Sequence, residues 1–147
     1  MSDEFAHDLQ ACHNDLASSR EQLLAVVRTL TDGDLDRGKR GQWTVSRVLQ
    51  HVIESEWLYS RVLRHLRSLP VPSDAIDAVP ESASDAVAKL DASHAAILEA
   101  LDGVDEETFY KLATLGHEEY SVISMVENDA MHDREHAEQL RNILAQT

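Results

Sequence analysis

All three prolines of the chain, Pro70, Pro72 and Pro80, are confined to one stretch, and on both sides of it apolar residues recur at the period of an α-helix. Proline lacks the amide a helix interior needs and restricts its predecessor, so this stretch is a break. Before it, Phe5, Leu9, Cys12, Leu16, Leu23, Val27 and Leu30 step by three, four or seven. They predict a first amphipathic helix from about Glu4 to Leu30. Thr31-Asp32-Gly33-Asp34 breaks the pattern, and Arg37-Gly38-Lys39-Arg40-Gly41 reads as a flexible, basic loop. A second helix opens with Thr44 as its cap and Trp43 outside it as a hydrophobic staple. It carries Val45, Val48, Leu49, Val52, Glu56, Tyr59, Leu63 and Leu66 to about Ser68.

Beyond the prolines, a third helix from about Ser82 to Leu101 places Val87, Leu90, His94, Ile97, Leu98 and Leu101 on one face, among alanines that permit close packing. Thr108 to Leu115 reads as a short helical turn before Gly116. A fourth helix runs from near Ser121 to about Ala145, with Val122, Met125, Asp129, His132, His136, Leu140 and Ile143 or Leu144 in its stripe. Each helix has one face to bury. The expected fold is all-α, a single four-helix bundle of residues 1–147 with a long crossover between helices two and three.

Composition limits what such a bundle serves. Its 147 residues suffice for one core, and 43% hydrophobic with 27% charged residues are ordinary globular values. The start, Ser2-Asp3-Glu4-Phe5 after Met1, is acidic where a secretory signal is basic, so a cytoplasmic location is expected. The one cysteine, Cys12, lies on the first stripe and reads as a small buried hydrophobe. The net charge of −14 argues against nucleic acid and anionic membranes as partners. Arg61, Arg64 and Arg67 read as a solvated face, and His7 and His13 as surface residues.

The chemistry lies in the histidines. His132 and His136, four apart, project from one helix face and can reach one metal ion, and His51 falls on another apolar stripe. An unpaired buried polar group costs about 1–3 kcal/mol, and metal ligation supplies the missing partner. Three neutral imidazoles leave an open coordination position, as in a catalytic site. His94 is either a further inward ligand or a hydrogen-bonded core histidine. Tyr120-Ser121-Val122 echoes Trp43-Thr44-Val45, and in that register Asn128 corresponds to His51. One turn before His132, Asn128 can contact a ligand or a metal-bound water, or be satisfied by its neighbours.

Trp43-Thr44 with His51 downstream, the proline-containing crossover and His132-Asp133-x-Glu135-His136-x-x-Gln139 together resemble the DinB/YfiT-like superfamily of metal-binding four-helix bundles. The resemblance covers nearly the whole chain. It implies that His51, His132 and His136 hold the metal, with zinc or nickel the usual ion. Members with known activity include S-transferases using bacillithiol, mycothiol or related thiols, and mycothiol-dependent maleylpyruvate isomerases. The implied function is a metal-dependent transferase that joins a low-molecular-weight thiol cosubstrate to an electrophilic small molecule. Against it stand a bundle that holds metal or a small ligand without turnover, and an interaction protein whose histidines fill a polar core. Glu54 and Glu135 are candidate acceptors for the ligands' second N–H groups, or else solvent-facing charges. Arg47, one turn before His51, is the candidate for binding a cosubstrate carboxylate, and a homodimer is expected.

Overall fold

The computed structural model describes residues 2–146; Met1 and Thr147, the two ends of the expected domain, lie outside the described residues. Four long helices form where the stripes place them: α1 (Asp3–Val27), α2 (Val45–Leu66), α3 (Ala83–Leu101) and, after a short α4 (Glu106–Tyr110), α5 (Val122–Leu144). Each long helix is opened by a hydroxyl. Ser2, Thr44, Ser82 and Ser121 accept hydrogen bonds from the amides of Phe5, Arg47, Asp85 and Ser124. Each such cap contributes about 1 kcal/mol to its helix. α1 stops three residues earlier than its apolar pattern, because Thr29 and Leu30 fold into a turn on the carbonyls of Val26 and Val27. Leu30 is nevertheless buried.

The apolar core has two lobes. One gathers the C-terminal halves of α1 and α5 with the N-terminal halves of α2 and α3; the other gathers the opposite ends. It follows that α1 and α5 run one way and α2 and α3 the other. Because α2 and α3 are parallel, the chain between them must travel back along the bundle, and residues 67–82 are that long crossover. Arg61 and Arg64 donate to the carbonyls of Asp74 and Pro70 in it, and Arg67 donates to those of Ala100 and Asp102 at the end of α3. Expected as a solvated face, these arginines instead fasten the crossover and satisfy helix-terminal carbonyls.

Three further readings are corrected. The loop expected to be flexible follows a 3-10 turn, Asp32–Asp36, whose Asp34 accepts from the amide of Thr31 and whose Asp32 accepts from that of Ala83, and the loop itself is tied down at its first residue. Arg37 then donates to the carbonyls of Leu144, the last residue of α5, and of Gln146 beyond it. In place of a helical turn over Thr108–Leu115, the five-residue α4 is followed by a hairpin of two short strands, β1 (Ala113–Leu115) and β2 (Glu118–Tyr120). Gly116, at φ 66°, occupies the first turn position, where positive φ favours glycine. Within the third stripe, Leu98 is exposed.

Candidate metal centre

His51 on α2 faces His132 and His136 on α5 across the groove between the two helices. The separations are 3.0 Å from His51 Nε2 to His132 Nε2 and 2.9 Å from His136 Nε2 to His132 Nε2. Nitrogens that each lie about 2.1 Å from a shared ion show separations of this order. The rings stand edge to face with centroids 4.2 to 5.0 Å apart, and all three are half-buried, so solvent reaches the cluster.

Electrostatics favour the ligand form of the imidazoles. Burial, then the neighbouring histidines, push His132 down to about 4; burial, then His136 and Arg47, also lower His51. Neutral rings with nitrogen lone pairs facing one another repel unless a proton or a cation lies between them. On this ground the residues present fit a divalent ion.

Of the two readings open for Glu54 and Glu135, the structure bears out the solvent-facing one. Glu54 is exposed and accepts from Gln50, and Glu135 is exposed on α5. Neither hydrogen-bonds a ring; instead Gln139 Oε1 lies 2.7 Å from His136 Nδ1. An amide oxygen only accepts, so Nδ1 carries the proton and Nε2 is left with its lone pair toward the cluster. The i, i+3 spacing of His136 and Gln139 was the available signal. Asn128 is half-buried, one turn before His132, and no hydrogen bond joins it to the imidazoles among the described residues.

Aromatic side chains frame the opening. Trp43, expected as a staple for α2, is 42% exposed and stands edge-on to His51 at 5.3 Å, while Arg47 lies over its indole with Cζ 4.8 Å from the ring centroid. Gly38 lets the loop approach here, since a Cβ there would stand 2.8 Å from the Trp43 carbonyl oxygen. Tyr59 faces His132 at 6.1 Å, and burial, then the charge of Asp129, raises its phenol pKa and keeps it protonated.

A second polar cluster lies deeper, between the two apolar lobes. Arg20 of α1 donates through Nε and Nη2 to Asp133 at 2.8 and 3.1 Å, through Nη2 to Glu56 Oε1 at 2.8 Å, and through Nη1 to the Leu90 carbonyl at 2.7 Å. Ser93 donates to the same Glu56 oxygen. His94 is not part of the three-histidine group; its Nδ1 lies 3.5 Å from Glu56 Oε2, beside Asp129. Burial opposes the Glu56 charge, but the neighbouring His94 and then the Arg20 charge hold its carboxyl down to about 2. Asp129, by burial and then the charge of Glu56, is pushed up to about 10.

Elsewhere, Cys12 is buried as expected, its thiol raised to about 11 by burial and then by Glu127, while His7 is exposed and His13 half-buried. Among the described residues no helix is long and apolar enough to cross a membrane.

Comparison with known proteins agrees with the four-helix fold. The family model of the DinB superfamily matches residues 15–140, most of the chain. The four-helix bundle protein TT2238 superposes with a TM-score of 0.69 at 25% identity, over 91% of this chain and 98% of that one. A DinB-like protein from Bacillus cereus gives 0.68 at 19% identity, over 93% and 88% of the two chains. A conserved protein from Enterococcus faecalis gives 0.67 at 14%, over 93% and 97%, a likeness of fold. No curated protein matches the chain.

Proposed function

The chain belongs to the DinB superfamily, and from that premise we propose that it is a metal-dependent transferase joining a low-molecular-weight thiol to an electrophilic small molecule. The observation that carries the reading is the convergence of three imidazole nitrogens on one point that solvent reaches. His51, His132 and His136 would hold zinc or nickel, and such an ion supplies the Lewis acidity that turns a thiol into a thiolate near neutral pH. The chain's own residues supply the rest. Gln139 fixes the ring orientation of His136. Arg47, exposed and stacked on Trp43, offers a cation to a carboxylate of the thiol cosubstrate. Trp43 walls the approach to His51, and the Tyr59 phenol, protonated at neutral pH, can donate a hydrogen bond to the electrophile beside His132.

The test is consumption of small thiols in the presence of activated alkyl or aryl electrophiles, with the protein supplied with zinc or nickel. The reading expects turnover that a chelator stops, that metal restores, and that His136→Ala lacks. Stoichiometric metal with no thiol consumed above the uncatalysed rate would instead leave a protein that holds metal without turnover.

A further inference from the structure

We propose that Glu56, His94 and Asp129 form a second divalent-cation site, buried between α2, α3 and α5. One donor atom from each of the three lies within 4.8 Å of the others. Among the described residues, four buried side-chain polar atoms have no hydrogen-bond partner, and three of them are here: Glu56 Oε2, His94 Nδ1 and Asp129 Oδ2. Glu56 and Asp129 are 1% and 2% exposed, so water does not substitute for the missing partners at the surface. Buried polar atoms are almost always paired, and three orphans at one point indicate a missing common partner.

Charge points the same way. The layer holds one guanidinium, Arg20, against the carboxylates of Glu56, Asp129 and Asp133, an excess of two negative charges when all are ionised. A divalent ion cancels that excess where the orphan atoms meet. Arg20 does not compete for the position, because it and Ser93 both bind the opposite oxygen of Glu56. By fixing Oε1 they aim Oε2 at His94, as outer partners of a metal ligand do. One imidazole and two carboxylates suit zinc, manganese or ferrous iron better than calcium, which takes six to eight oxygens. The site is independent of the thiol chemistry proposed above, although α2 and α5 contribute to both clusters.

The test counts ions in the full chain after stripping with a chelator and titrating with Zn²⁺ or Co²⁺. Two ions per chain are expected in the parent, one in His132→Ala/His136→Ala, one in Asp129→Asn, and none when all three substitutions are combined. Co²⁺ retained by the folded His132→Ala/His136→Ala variant should show visible absorption that Asp129→Asn removes. The comparison of parent with Asp129→Asn stands even if the histidine variant fails to fold. An ion count unchanged by Asp129→Asn overturns the second site and leaves the three-histidine site standing. An ion count unchanged by His132→Ala/His136→Ala but lowered by Asp129→Asn upholds the second site and removes the first.

Discussion

The two polar clusters of this bundle share helices α2 and α5 but satisfy their polar atoms differently. In the inner layer a guanidinium answers carboxylates on two other helices, closing every bond except those at the point where Glu56, His94 and Asp129 meet. In the outer cluster three imidazoles face one another with no counter-charge among them. The inner layer therefore belongs chiefly to the fold, and the outer cluster to whatever it binds. A buried ion pair that loses one member exposes the full desolvation cost of the other, whereas a half-buried neutral ring can be removed cheaply.

Arg20→Ala should strike hardest, destabilising the chain by about 3–5 kcal/mol in urea unfolding because Glu56 and Asp133 lose their counter-charge. A loss below about 1 kcal/mol would mean that the layer is not held by this arginine. Gln139→Leu should leave unfolding almost unchanged while weakening metal at the outer cluster about 10–100-fold in a chelator competition. Equal affinity in parent and variant would remove Gln139 from the site.

Asp129→Asn should stabilise the metal-free chain by about 1 kcal/mol near neutral pH, since an amide avoids the cost of a buried carboxyl. Its sign with pH is specific. The folded pKa of about 10 exceeds the ordinary 3.8, so native Asp129 keeps a proton that the unfolded chain releases, and its contribution to stability falls as pH rises between those values. The gain from Asn should accordingly be larger at pH 8 than at pH 5, and a gain independent of pH would contradict the assignment.

The outer cluster titrates in the opposite sense. His132 binds its proton at about 4 when folded and 6.5 when unfolded, so the metal-free chain should lose stability as pH falls through that window. The ring is half-buried, and solvent screening limits the effect to about 1 kcal/mol or less. His132→Ala should flatten the slope in acid denaturation curves; an unchanged slope would assign it to another group.

Much of this arrangement was legible in the chain because it is local. The cap at Thr44, its echo at Ser121 and the apolar stripes located the helices, and the His132–His136 spacing with His51 on a second stripe located the outer cluster. The inner layer was half visible. Glu56 and Asp129 stood in apolar stripes without an assigned role, and the first stripe jumped seven residues from Leu16 to Leu23 over the position of Arg20. What joins Arg20 to Asp133 is a contact across 113 positions, which helical periodicity does not encode. Glu54 and Glu135 are near the ligands along the chain, but their side chains leave the helices on the solvent side, the second of the two readings open for them. The hairpin escaped because three-residue strands are too short to show alternation, leaving Gly116 as its one cue.

The most direct measurement is metal content per chain by elemental analysis, on untagged protein equilibrated with zinc or nickel, for the parent and for His132→Ala/His136→Ala. One ion fewer is expected in the variant, with the helical circular-dichroism signal retained. Equal metal content in two folded proteins would contradict it.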